Sequence, residues 1–143
     1  MNAKVEMRAF TVKPHWAFLI MQGYKDCENR NIAPVPRKGT AAVHVSTSYT
    51  KTEYDEAVSL FGRKAMEKLP FEMLRELCGR IVGLVDYEVA EATDSQWWDR
   101  SGKPIMLSNP RWLSEPFVPC KGALQFWRVP EDIAQRVNDM LMP

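Results

Sequence analysis

A chain of 143 residues with 45% hydrophobic and 26% charged residues has the length and composition of one globular domain that buries a core without disulfide or metal staples. Its formal net charge of +1 excludes a surface that grips polyanions by bulk charge, so any nucleic-acid contact has to be local. The three cysteines, Cys27, Cys78 and Cys120, stand far apart without a CxxC pair, which excludes a disulfide framework and a zinc knuckle and leaves free buried thiols.

The N-terminus mixes Lys4, Glu6 and Arg8 with apolar residues, unlike a signal peptide. Ala9 to Val12 is a short β-prone run, and Pro14 suits the first turn of a helix, where its missing N–H costs nothing. Trp16, Leu19, Ile20 and Gly23 follow at i, i+3, i+4 and i+7, an amphipathic helix with Trp16 as a core anchor. The longest apolar segment, Trp16 to Met21, falls far short of the roughly twenty residues a membrane span needs, so a cytoplasmic chain with no membrane partner is expected.

Gly23 to Arg30 then packs Lys25, Glu28, Asn29 and Arg30 directly behind that apolar helix. Read locally, this is either a charged helix end and turn or a site held in a defined geometry between helix and strand. Lys25 suits a phosphate as a point charge, or acts as a base if burial depresses its pKa. Arg30 offers a planar fork for a phosphate, a base edge or Glu28, and Asn29 reads a base or, in preference, caps the turn.

Pro34, Pro36 and Gly39 break regular structure before Thr40 to Ser46, whose alternation predicts a half-buried strand with His44 and Ser46 on a pocket beside Lys25. Thr50-Lys51-Thr52-Glu53 has the form of a capping box, with Gly62 ending or kinking the helix it opens. A further helix is predicted from Pro70 to Cys78, capped by Gly79. Arg80 to Val89 is the best strand, with Ile81, Gly83, Val85, Tyr87 and Val89 sharing one face. Asp86, on the other face, either pairs with Lys25 or Arg30 or marks where the strand emerges into solvent.

Thr93 to Pro110 loses periodicity and reads as a long functional loop carrying Trp97 and Trp98, one of which stacks on a base or pins the loop. Trp112 and Leu113 suggest a short strand, Gly122 to Val129 another, and Pro130, Glu131 and Asp132 open a C-terminal helix with Ile133, Val137, Met140 and Leu141 inward. Strands separated by single helices favour an α+β domain, and a small, partly open mixed β-barrel of about five or six strands with peripheral helices fits the spacing. With His15 and His44 as the only histidines and no clustered ligand spacing, no metal and no cofactor is expected. Nothing in the pattern sets an oligomeric state.

Pro14-His15-Trp16-Ala17, Gly23-Tyr24-Lys25 and Glu28-Asn29-Arg30 together resemble the ASCH domain, a PUA-like module with a Pro-Trp helix start and a Gly-x-Lys-x-x-Glu-x-Arg element. A strand ending in His44-Val45-Ser46, one opened by Gly79 to Gly83 and a closing Pro119-x-Lys121-Gly122 to Trp127 segment follow in the same order, so the resemblance spans about residues 13–130. It implies a single ASCH/PUA-like domain over 1–143, with a C-terminal helix over about 131–142, that binds RNA or a modified nucleotide. Lys25, Asn29, Arg30, Ser46, Trp97 and Trp98 are its expected ligand contacts.

Some members of the family look like enzymes, so a modified-nucleoside amidohydrolase or a ribonuclease, with Lys25 and Glu28 as the catalytic pair, is the alternative. The family's acetylcytidine amidohydrolases use the motif lysine, a threonine three residues on and a distant glutamate. Here Glu28 stands where that threonine would be, and a carboxylate does not replace a hydroxyl that attacks or donates a proton. A protein-interaction module without a working pocket is the second alternative.

Overall fold

The structure is a computed structural model that describes residues 6–141, so Lys4 and Met142 lie outside it. Among the described residues, seven strands form a single mixed sheet: β1 (Arg8–Val12), β2 (Cys27–Glu28), β3 (Lys38–Val45), β4 (Arg80–Val89), β5 (Ile105–Trp112), β6 (Val118–Pro119) and β7 (Trp127–Arg128). Their order is β2-β5-β4-β3-β1-β7, with β6 paired to β4, and only β1 and β3 run parallel. The sheet curls into an open half-barrel and carries helices at its periphery, an α+β arrangement.

Five helices accompany the sheet among the described residues: α1 (Pro14–Met21), α2 (Lys51–Phe61), α3 (Arg63–Met66), α4 (Phe71–Arg75) and α5 (Glu131–Asp139). The capping box forms in both directions: the Thr50 hydroxyl accepts the Glu53 N–H and the Glu53 carboxylate accepts the Thr50 N–H. The predicted Pro70 to Cys78 helix is regular only over Phe71–Arg75, and α5 ends at Asp139, short of its expected end.

One core packs α1 on the sheet through Ala17, Ile20 and Met21, against Phe10, Val43, Val85 and Ile105. The other face packs Ala134 and Val137 of α5 against Ala9, Ala42, Ile81 and Trp127. Sandwiched between these layers, β3 is buried on both faces from Ala41 to Val45 instead of the one its alternation predicts. In β4, His44 pairs with Ile81 while Val43 pairs with Gly83, so Val82 is an extra residue. This bulge turns Ile81 onto the α5 face, while Val85, Tyr87 and Val89 keep to the α1 face.

Two strand predictions need correction. Ile105–Trp112 is a full strand that begins inside the predicted loop and runs on to Trp112 of the predicted short strand, although Pro110 and the positive φ of Asn109 lie within it, because β4 and β2 pair with its two edges. Conversely, Gly122 to Val129 forms a ladder only at Trp127 and Arg128, where β1 offers Ala9 and Arg8 as partners. No helix among the described residues is long and apolar enough to cross a membrane.

Burial also makes the fold sensitive to acid. His15 on α1 is buried, with its Nδ1 and the Tyr49 hydroxyl at 2.8 Å, and desolvation lowers its pKa from 6.5 to about 4. Desolvation lowers the His44 pKa as well. Between these values the unfolded chain binds protons that the folded chain refuses, so the stability is complete above pH 6.5 and drains away as pH falls toward 4. We expect the urea midpoint to hold from pH 8 to 7 and then to drop, with His15 contributing up to about 3 kcal/mol and His15→Gln giving a shallower decline. A midpoint flat through this window would show that both rings protonate freely in the folded chain.

Candidate functional site

The octapeptide is positioned by the end of α1. Gly23 adopts φ +76°, a left-handed conformation that other residues reach only under strain, and the Tyr24 and Lys25 amides both return to the Leu19 carbonyl at 3.0 Å. The reversed chain then enters β2, where Cys27 and Glu28 pair antiparallel with Met106 and Ile105. Because both ends of this segment are tied, Lys25 and Glu28 turn inward and are only 5% and 7% exposed.

Glu28 is the hub. Its Oε1 accepts from the Lys25 ammonium at 3.2 Å, and its Oε2 accepts from Arg30 Nε at 2.8 Å and Nη2 at 2.7 Å. Lys25 also donates to the Cys27 carbonyl, and Arg30 Nη2 to the Thr11 carbonyl at 2.8 Å. Two cations thus meet one carboxylate at the cleft, with Asp99 close enough to Lys25 for a further charge interaction. Aromatic rings back both: Lys25 Nζ lies 5.5 Å from the centre of the Trp16 ring and the Arg30 guanidinium 5.9 Å from that of Phe10.

The loop between β4 and β5 forms the outer wall. Asn29 clamps it with both ends of its amide, donating to the Trp97 carbonyl at 2.8 Å and accepting the Asp99 N–H at 3.0 Å. Trp97 donates its indole N–H to the Tyr24 carbonyl at 3.2 Å and meets Trp16 nearly at right angles, with ring centres 5.8 Å apart. Gly102 lets the loop close on Arg30, since a Cβ there would lie 2.7 Å from the Arg30 carbonyl oxygen. Between these walls lies a cleft of about 330 Å³ bordered by Thr11, Val12, Trp16, Lys25, Glu28, Asn29, Arg30 and Trp97.

The cleft thus gathers Lys25, Glu28, Asn29, Arg30 and Trp97, and leaves out two of the expected ligand contacts. Ser46 follows β3 and donates its hydroxyl to the Ser48 carbonyl, away from the cleft lining. Trp98 donates to the Gly102 carbonyl at 2.9 Å and carries Arg100 over its ring, which pins the loop. Asn29 spends its amide on this long-range clamp, in place of the local turn cap favoured from its type. Asp86 accepts from Thr40, Asn109 and Arg111 on the sheet, and pairs with neither Lys25 nor Arg30.

His44 is wholly buried instead of lining a pocket. Its Nε2 lies 2.6 Å from the Cys120 carbonyl, which can only accept, so the proton sits on Nε2 and the neutral ring takes the Thr11 hydroxyl at Nδ1, 3.0 Å away. Thr11 Oγ1 in turn accepts the Trp127 indole N–H at 3.1 Å. The network therefore consumes the one hydroxyl among the residues that border the cleft.

Trp16 packs against the α1-side core, as expected of an anchor, and also borders the cleft. The buried stripe of α1 runs through Ala17, Ile20 and Met21, which leaves Trp16 half-buried at the cleft wall. Drawing the stripe through those three apolar positions in the sequence would have found it. The Thr11 carbonyl has no such signal, because only the pairing of β1 brings it to Arg30. Burial pushes the Cys27 thiol up to about 11, so it stays protonated beside the charged cluster. Cys78 and Cys120 are only partly buried, which corrects the expectation of three buried thiols. Among the described residues no three His, Cys, Asp or Glu side chains converge to hold a metal ion.

No family model matches this chain, and no curated protein matches it.

Proposed function

We propose that this chain is an ASCH-type, PUA-like module that binds RNA or a modified nucleotide in the cleft of Lys25, Glu28 and Arg30. The observation that carries the reading is the meeting of charge and π surface in one place: Lys25 Nζ lies 5.5 Å from the Trp16 ring centre, and Trp97 stands edge-on to that ring at 5.8 Å. A nucleotide offers the complementary pair, an anionic phosphate and a flat base. The volume of about 330 Å³ sits at the lower end of the ~300 to 1,000 Å³ typical of small-ligand pockets, which suits a single nucleotide better than a long groove. The near-neutral net charge agrees with a local contact of this kind. The order of the motif residues and the curled mixed sheet with peripheral helices support the family reading.

Titration of the intrinsic tryptophan emission with the four nucleoside 5′-monophosphates and a mixed-sequence single-stranded RNA tests it. Trp97→Ala is expected to weaken binding about 10- to 100-fold, the loss of one stacked base, and Lys25→Ala to weaken it and reduce its salt dependence. Wild-type affinity in both variants would move the contact elsewhere. No binding of any nucleotide or RNA would favour a protein-interaction module.

One observation favours the enzymatic alternative: the buried Lys25 and Glu28 side chains meet at 3.2 Å, within reach for proton transfer. In an amidohydrolase, Glu28 would take a proton from the attacking water and Lys25 would give one to the departing amine. Both Glu28 oxygens are already occupied by Lys25 and Arg30, which is why binding is the leading reading. Incubation with N4-acetylcytidine and with RNA, followed by mass spectrometry, decides the point. Product that forms equally with Lys25→Ala and Glu28→Gln would come from another site.

A further inference from the structure

A larger cavity, of about 570 Å³, lies away from the nucleotide cleft and shares none of its bordering residues. Three half-buried rings border it: Phe18 from α1, Trp112 at the end of β5 and Phe117 in the turn before β6. Trp112 stands in the middle, with its ring centre 6.0 Å from that of Phe18 and 6.1 Å from that of Phe117. Phe117 reaches this place at φ +68°, which a bulky residue adopts only under strain, and its amide donates to the Ser114 carbonyl at 3.0 Å. Met73 and Leu77, from α4 and the turn behind it, extend the apolar wall. The volume falls within the ~300 to 1,000 Å³ of pockets that hold small organic molecules.

Charge and ring surface are matched differently here than in other parts of the chain. Elsewhere the chain's own cations lie over its rings, Lys25 at Trp16, Lys51 at Tyr54 and Arg100 at Trp98. Among the described residues no lysine or arginine lies over Phe18, Trp112 or Phe117. Arg80 borders the cavity, but its Nη1 donates to the Pro116 carbonyl at 2.6 Å. Two exposed carboxylates, Glu76 and Glu115, stand on the same border, and neither is ion-paired among the described residues. The border therefore carries two negative groups against one arginine, beside three rings that no cation of the chain covers.

We infer that this cavity binds a small quaternary ammonium compound, its methylated nitrogen against the Phe18, Trp112 and Phe117 rings and the Glu76 and Glu115 carboxylates at the mouth. The negative faces of aromatic rings attract such a cation, which is weakly hydrated and offers only methyl groups to its surroundings. A quaternary nitrogen has no N–H, so it needs no hydrogen-bond acceptor inside an apolar wall. Carboxylates at an exposed edge then contribute through charge alone. The proposal stands apart from the nucleotide reading, since the two sites have no bordering residue in common.

Calorimetric titration of the full chain with choline and benzyltrimethylammonium tests it, with 3,3-dimethylbutanol as the neutral isostere of choline and benzoate as an anion. Both cations are expected to bind, choline about tenfold or more tightly than its isostere. In two-dimensional NMR spectra the Trp112 indole N–H signal, assigned by its loss in Trp112→Phe, is expected to shift on binding while that of Trp97 stays. Glu76→Gln combined with Glu115→Gln, both at exposed positions, is expected to weaken choline about threefold or more and to flatten its salt dependence, with the isostere unaffected. Trp112→Leu is expected to lose about tenfold, and the glutamine pair keeps the test sound if that variant folds poorly. Equal affinity for choline and its isostere shows a merely apolar cavity and overturns the proposal. So do benzoate binding in preference to the cations, unchanged choline affinity in the glutamine pair, shifts confined to Trp16 and Trp97, and no binding by either cation.

Discussion

Glu28→Ala is expected to cost about 3 to 5 kcal/mol of stability, read as a shift in the urea midpoint at pH 7. The size follows from what remains behind. Lys25 is 5% exposed and has only the Cys27 carbonyl as its other partner, so its ammonium would be left buried without a counter-charge, with the Arg30 guanidinium close by. A buried pair broken on one side costs more than the pair itself contributes, because the desolvation of the survivor is no longer offset. Glu28→Gln keeps an acceptor for Lys25 and is expected to lose less. The double change Lys25→Met with Glu28→Leu removes the buried charge from both partners and is expected to recover much of the loss, at the expense of nucleotide binding. A midpoint shift below about 1 kcal/mol in Glu28→Ala would mean that Lys25 swings out to water, and the cluster would then hold no fixed geometry.

Phe10→Ala is expected to cost a similar amount, about 3 to 5 kcal/mol, and to weaken nucleotide binding as well. Phe10 is wholly buried in the centre of the α1-side core, stacked on Phe126 with ring centres 5.1 Å apart. The same ring supports the Arg30 guanidinium at 5.9 Å, so the core and the site share a side chain. Truncation opens a cavity at the junction and removes the platform that holds Arg30 against Glu28. Phe10→Leu separates the two effects: it fills most of the volume, with a stability cost under about 1.5 kcal/mol, but presents no π face to the cation. Unchanged affinity in Phe10→Leu would show that Arg30 is held by Glu28 and the Thr11 carbonyl alone.

The parts of the structure that could be read from residues in order are those whose physics is local. The capping box of Thr50 and Glu53 closes within one helical turn, and Gly62 ends the helix it starts. The density of charge in Gly23 to Arg30 was legible for the same reason, since Lys25, Glu28 and Arg30 meet through offsets of two and three residues. Ile105 to Pro110 was illegible because Pro104, Asn109 and Pro110 give it the local chemistry of a loop, and only β4 on one edge and β2 on the other make a strand of it. Gly122 to Val129 failed in the opposite sense: its alternation is that of a strand, yet β1 pairs with only two of its residues.

Site membership divides along the same line. His44 and Ser46 alternate with apolar residues, which is consistent with a pocket face, but the second face of β3 is covered by the α5-side core and the Thr11 network. Trp97 and Trp98 are indistinguishable by type. Asn29 decides between them from a distance of 68 positions by holding the Trp97 carbonyl, while Trp98 turns back on Gly102.

By itself the sequence determined the helix starts at Pro14, Thr50, Pro70 and Pro130, the best strand and the charged octapeptide, because torsional preference and short-offset hydrogen bonds act within a few residues. Only the tertiary structure decided which strands pair, that Trp16 borders the cleft and that Ser46 does not. These depend on which distant surfaces exclude water together, and no window along the chain contains both surfaces.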